Sequence, residues 1–285
     1  MNAPLPPLVD AGTLRQRLAS TAPPLVLDLR FDLSDPEAGR CAHAQGHVPG
    51  AVYVHLDECC GPVRDAQGRF HGRHPLPTRE AFAARMAAWG WEPGRGVVAY
   101  DASGGMFASR LWWMLHWLGD PAVQVLDGGW AAWQAEGGAV ELAPAVPDPR
   151  PAPAQLPEPR VRTLDAEALA SRLGRVRLID ARAPERFRGE VEPLDTRAGH
   201  IPGARNRPFA LNLDSSGRFK SAAALRADWS ALVAGAEAPV HQCGSGVSAC
   251  HNLLALAIAG LPLGPLYPGS WSEWSSDPTR PVALG

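Results

Sequence analysis

Lysine is almost missing from this chain. Lys220 is the only one, so 26 of the 27 basic residues are arginine, and a single arginine says little about a site. Excess charge is missing as well: a formal net charge of −2 gives no broad attraction to nucleic acid or to a membrane surface. No apolar run reaches the roughly 18 residues that a membrane span needs. Met1–Asp10 has no basic segment followed by an apolar core, so no signal peptide is expected. Cysteine is scarce and odd in number (Cys41, Cys59, Cys60, Cys243, Cys250), which argues against a disulfide framework and for a reducing cytoplasm. Cys59 and Cys60 are adjacent and no second pair follows, so neither a zinc site nor any other metal or cofactor is expected.

What is present is material for two medium domains. The chain has 285 residues, 46% hydrophobic and 20% charged, the balance of a soluble globular protein. Residues 144–159 read PAVPDPRPAPAQLPEP, with too many prolines for a helix or a central strand. They predict a stiff linker between a domain at 1–143 and another at 160–285.

The two halves repeat each other in order. VLDLR (Val26–Arg30) matches LIDAR (Leu178–Arg182), and GHVPGA (Gly46–Ala51) matches GHIPGA (Gly199–Ala204). VVAYDASGG (Val97–Gly105) matches APVHQCGSG (Ala238–Gly246), and LDGGWAAW (Leu126–Trp133) matches YPGSWSEW (Tyr267–Trp274). The order and long spacing mean duplication of a whole domain. Each half reads as α/β. Apolar runs at Leu25–Leu29, Val97–Tyr100 and Val176–Ile179 suit buried parallel strands, and Arg79–Trp89, Phe107–Leu118 and Val247–Ala259 suit helices.

Duplication supplies an internal control, because what both halves keep serves the fold. His47 and His200, each in Gly-His-x-Pro-Gly-Ala, therefore read as turn residues, and Asp28/Arg30 and Asp180/Arg182 as structural partners at strand ends. The difference lies at one strand-to-helix loop: Asp101-Ala102-Ser103-Gly104-Gly105 in the first half, Cys243-Gly244-Ser245-Gly246-Val247-Ser248 in the second. A strand ends at Cys243, two glycines permit a tight turn, and a helix begins. Inward-pointing amides and a positive helix N-terminus favour an anion there, whether a thiolate or the outer sulfur of a persulfide. Arg186 is also unshared, since the matched position in the first half is Ser34, and it suits an anionic substrate.

The duplicated domain, Gly-His-x-Pro-Gly-Ala and Tyr-x-Gly-Ser-Trp-x-Glu-Trp together resemble the tandem-domain rhodanese sulfurtransferases over nearly the whole chain. The resemblance implies two tandem rhodanese-like domains, each a parallel sheet flanked by helices. It implies a silent first domain, with Asp101 in the place of the nucleophile, and sulfur carried on Cys243. The loop Cys243–Val247 is similar to that of the mercaptopyruvate-using branch, whereas thiosulfate-using relatives carry basic residues there. The similarity implies a small anionic sulfur donor, a thiol acceptor such as thioredoxin or cyanide, and a proton relay of Ser245, His74 and Asp57. Gly244, Gly246, Val247 and Ser248 would line the substrate, and Arg186 would hold its carboxylate. The family's second arginine falls at Leu194, which leaves Arg197 or Arg73 to replace it.

Two other readings stand beside this one. A phosphatase of the same fold needs an arginine in the loop after its cysteine, and none lies between Cys243 and Ala249. A non-catalytic interaction module would not need Cys243 in a glycine loop, but that reading stays open for the first domain. Thiosulfate remains the alternative donor.

Overall fold

The computed structural model describes residues 5–235 and 237–285. The chain divides into two compact units that are not contiguous in sequence. The first takes the residues up to Cys59, Pro77–Arg160 and Asp214–Phe219; the second takes Cys60–Leu76, Val161–Leu213 and Lys220–Gly285.

In the first unit five short strands, β1 (Leu8–Val9), β2 (Leu25–Asp28), β3 (Val52–Tyr53), β4 (Val97–Tyr100) and β5 (Val123–Leu126), form one sheet in the order β1-β5-β4-β2-β3. Every pairing is parallel. All residues of β2, β4 and β5 are buried, as strands covered on both faces must be. The helices are α1 (Ala11–Leu18), α2 (Ala38–Gln45), α3 (Arg79–Ala88), α4 (Ala108–Leu118) and α5 (Gly129–Ala135). Asp10 and Thr78 start α1 and α3 by accepting the amides of Thr13 and Ala81. Trp112 and Trp113 of α4 are core residues.

The second unit repeats the plan with β6 (Leu178–Asp180), β7 (Ala204–Asn206) and β8 (Val240–Gln242), parallel and in the order β7-β6-β8. Leu266 bridges His241 on one side and Thr163 on the other, both parallel, where β5 and β1 stand in the first unit. The helices are α6 (Ala166–Ala170), α7 (Pro184–Arg188), α8 (Ala222–Val233), α9 (Ser248–Ile258) and α10 (Ser270–Ser276). Among the described residues no helix is long and apolar enough to cross a membrane.

The shared motifs hold equivalent turns. Arg30 bonds the Asp28 carboxylate and the Gly46 carbonyl (2.7 Å); Arg182 bonds Asp180 and the Gly199 carbonyl (2.8 Å). Each guanidinium lies 4.8 Å from a tryptophan ring, Trp130 or Trp271. His47 and His200 are buried, with Nδ1 on the carbonyls of His43 (2.8 Å) and Phe187 (2.9 Å). These contacts give both histidines structural work at the Gly-His-x-Pro-Gly turns.

Two short segments belong to units that their sequence positions would not suggest. Cys60–Leu76 is part of the second unit: Arg69 pairs with Glu167 (2.9 Å), and the Arg73 amide donates to Ser272 Oγ (3.1 Å). Gly72 sits at φ +96°, where a Cβ would lie 2.8 Å from the Gly269 carbonyl oxygen, so only glycine allows this approach. Asp214–Phe219 is held in the first unit by Asp127, which accepts the Phe219 amide (2.9 Å), and by the Arg218–Glu136 pair (2.8 Å).

Candidate active site

β8 ends at Gln242 and α9 begins at Ser248, so Cys243 opens the loop at the carboxyl end of a central strand, where α/β sheets bind ligands. Cys243 is buried. Its amide donates to Ser270 Oγ (3.1 Å), its carbonyl accepts the Trp271 amide (3.0 Å), and the Gly244 carbonyl accepts the Ser272 amide (2.9 Å). Three hydrogen bonds thus fix the backbone of Cys243 and Gly244 to the start of α10. Among the described residues the amides of Gly244, Ser245 and Val247 donate to no protein group. Gly246 turns at φ +78°, Val247 precedes the helix, and Cys250 is buried in α9 with Sγ 3.3 Å from the Gly246 carbonyl oxygen.

The first unit displays what such a loop does with negative charge. The Asp101 carboxylate accepts four amides: Ser103 (2.7 Å) and Gly105 (2.9 Å) on Oδ1, Phe107 (2.8 Å) and Ala108 (2.9 Å) on Oδ2. Full burial raises the Asp101 carboxyl above its ordinary value, against the pull of these amides. The Asp101 carbonyl accepts the Trp130 amide (2.9 Å), the counterpart of the Cys243–Trp271 bond. Six residues separate Asp101 from α4, but only four separate Cys243 from α9, so the cysteine loop is tighter.

Arg73, His74 and Arg186 meet this loop within the second unit. His74 Nδ1 is 2.7 Å from Ser245 Oγ, and both residues are buried. A Cβ built on Gly244 would lie 3.0 Å from Arg73 Nη2 and 3.4 Å from Arg186 Nη1, so two guanidiniums stand over the residue next to the cysteine. Arg73 contacts the Asp195 carboxylate. Arg186 contacts Glu192 (2.6 Å) and the other Asp195 oxygen (3.2 Å), while Glu192 also touches Arg182 (3.4 Å). The Nε atoms of Arg73 and Arg186 are buried with no hydrogen-bond partner among the described residues. Burial holds the Asp195 carboxyl above its ordinary value, with Arg73 pulling it down, Glu192 pushing it up and Arg186 pulling it down.

One expected residue has other work within the second unit, and one belongs to the first unit. Arg197 does not replace the arginine absent at Leu194. Its guanidinium is bonded to four backbone carbonyls, those of Ser275 (2.8 Å), Arg280 (3.1 Å), Trp274 (3.3 Å) and Asp277 (2.6 Å), and so braces the end of α10. Asp57 falls in the first unit, largely exposed in the turn Leu56–Cys59. Its amide donates to His55 Nδ1 (3.2 Å), and its carboxylate is 3.7 Å from the same ring nitrogen. Sequence reasoning missed Asp195 and the role of Glu192. Their signal was two acidic residues flanking Leu194, where an arginine was expected.

The chain is similar to known proteins along nearly its whole length. The family model for the rhodanese-like domain matches residues 10–136 and 165–277. A Pseudomonas aeruginosa protein described as a probable 3-mercaptopyruvate sulfurtransferase is 47% identical over 98% of both chains. A Mycobacterium tuberculosis protein, described as putative thiosulfate sulfurtransferase SseB, is 41% identical over 98% of this chain and 97% of its own. Among solved structures, the 3-mercaptopyruvate sulfurtransferase SseA from Escherichia coli superposes with a TM-score of 0.77 at 31% identity, covering 94% of this chain and all of its own. The 3-mercaptopyruvate sulfurtransferase from Leishmania major gives 0.81 at 30% identity, over 96% of this chain and 76% of its own.

Proposed function

The chain belongs to the rhodanese family, and we propose that it takes sulfur from 3-mercaptopyruvate, holds it on Cys243 as a persulfide and passes it to a thiol such as thioredoxin or to cyanide. The observation that carries this reading is the buried Ser245–His74 hydrogen bond beside Cys243, beneath the guanidiniums of Arg73 and Arg186.

The chemistry balances without a cofactor. The Cys243 thiolate attacks the donor sulfur; a sulfur–sulfur bond forms, the carbon–sulfur bond breaks, and its electron pair passes to pyruvate enolate. The proton on the donor thiol must leave sulfur, and one must reach the enolate carbon. Ser245 and His74 form a chain able to carry it, while Asp57's part in that relay rests on the resemblance alone. Amides of Gly244, Ser245 and Val247, with Gly246 and Ser248 completing the turn into α9, receive the negative outer sulfur as the Asp101 loop receives a carboxylate. Arg186 and Arg73 hold the donor carboxylate, with Arg73 in place of the arginine absent at Leu194. An acceptor thiolate or cyanide then takes the outer sulfur and restores the Cys243 thiolate.

The labour is divided between a silent domain within 1–143 and a catalytic one in 160–285, joined by the proline-rich 144–159, with Cys60–Leu76 of the first stretch lending Arg73 and His74 to the catalytic unit. Five free cysteines suit work in the cytoplasm. Steady-state kinetics with both donors tests the reading: kcat/KM is higher for mercaptopyruvate than for thiosulfate. Thiosulfate favoured by the wild-type protein would overturn the donor and leave Cys243 as carrier.

A further inference from the structure

We propose that Asp195 is the residue that sets donor choice, by cancelling charge on the two arginines that receive the donor. The inference rests on the proposed function and deepens it. An anion site built for affinity leaves its guanidiniums unopposed. Here Asp195 touches both Arg73 and Arg186, and Glu192 touches Arg186 and Arg182, while Arg182 is already paired with Asp180 (2.7 Å). The two guanidiniums over Gly244 therefore face two carboxylates, whose side chains are both 4% exposed.

The arginines nevertheless keep hydrogen-bonding capacity. A guanidinium has five N–H donors, the Nε–H of Arg73 and that of Arg186 have no acceptor among the described residues, and the two side chains stay 22% and 17% exposed. Geometry for binding a carboxylate is thus retained while net charge is held near zero. A monoanionic keto acid adds one negative charge to this site, and thiosulfate adds two. In a half-buried pocket the second charge acts at close range against Asp195. One unit charge at about 5 Å and moderate effective dielectric changes affinity by roughly tenfold or more. The neutral Cys243 loop supplies no lysine or arginine to offset it.

Binding of two unreactive anions, pyruvate and sulfate, to the full-length protein tests this without turnover. Calorimetric titration would compare wild type with Asp195→Asn and Asp195→Glu, beside kcat/KM for both donors. In Asp195→Asn both anions are expected to bind tighter, pyruvate by roughly tenfold and sulfate by roughly a hundredfold, so the sulfate-to-pyruvate ratio rises about tenfold and thiosulfate kcat/KM rises relative to mercaptopyruvate. Asp195→Glu keeps the wild-type ratio. Asp195→Ser makes the same charge change should Asp195→Asn melt early. An unchanged sulfate-to-pyruvate ratio overturns the proposal, and so does equal weakening of both anions, which would make Asp195 a support for Arg73 alone. A shifted ratio in a protein that neither donor loads with sulfur would sink the functional reading and leave the charge role intact.

Discussion

Ser270 holds the Cys243 amide from a backbone conformation that serine rarely adopts. Its Oγ accepts the Cys243 N–H at 3.1 Å and donates to the Tyr267 carbonyl at 2.9 Å, while φ stands at +54°, the one positive value among described non-glycine residues. The matched residue in the first unit is Gly129 at φ +56°, where a Cβ would lie 2.2 Å from the Asp101 carbonyl oxygen. The cysteine-bearing half thus accepts strain of about 1–3 kcal/mol to place a hydroxyl on the Cys243 amide.

Ser270→Gly separates strain from function. It keeps the turn and loses the hydroxyl, so the melting temperature holds within a few degrees while single-turnover sulfur loading slows by roughly three- to tenfold. Ser270→Ala keeps the strain without the hydrogen bond and is destabilised by about 1–2 kcal/mol. Wild-type loading in Ser270→Gly would leave the hydroxyl no part in positioning Cys243.

Three arginines that look alike in sequence are expected to differ in assay. Arg186→Ala and Arg73→Ala each lower mercaptopyruvate kcat/KM by about 10- to 150-fold, the loss of one charge-assisted hydrogen-bonding group worth about 1.5–3 kcal/mol. Arg197→Ala strips four carbonyls of their donor and shows as a lower melting temperature, with KM unchanged in the folded protein. A KM effect confined to Arg197→Ala would reverse the assignment.

Asp101 tests whether the first domain is silent. Asparagine offers one acceptor oxygen and turns an NH2 toward amides that need an acceptor, so Asp101→Asn loses about 2–4 kcal/mol in urea denaturation. Turnover per folded molecule stays within a few-fold of wild type. Abolished turnover in a folded Asp101→Asn protein would give the first domain a chemical role.

The repeat, the cysteine loop and the structural work of the shared histidines were legible because each lies in a short contiguous motif. Strand ends at Asp28 and Asp180 and helix starts at Ala108 and Ser248 fall within a residue or two of the boundaries that pattern alone suggests. What could not be read was non-local. Arg73 and His74 precede the linker by some seventy residues, yet they belong to the second unit because Gly72 and Ser272 let two backbones approach closely. Asp195 meets Arg73 across more than a hundred residues of chain. Arg197 looked like a clamp by its spacing, but its donors reach the carbonyls ending α10, a choice that only packing decides.

His241 predicts an acid-sensitive fold. The ring is fully buried, neither nitrogen has a hydrogen-bond partner among the described residues, and desolvation lowers its pKa to about 3. Unfolded histidine titrates near 6.5, so the stability that the neutral ring contributes is complete above that pH. It is lost as pH falls from about 6.5 toward 3, by up to about 4–5 kcal/mol. His241→Leu is expected to flatten this acid limb in pH-resolved thermal melts. An acid midpoint that does not move would assign the loss to other groups.

The central claim is that Cys243 carries the sulfur, and intact-protein mass spectrometry tests it most directly. With mercaptopyruvate supplied and acceptor withheld, wild type gains one sulfur, ~32 Da, that cyanide removes, and Cys243→Ser gains none. The same cyanide-labile mass gain in Cys243→Ser would contradict the account.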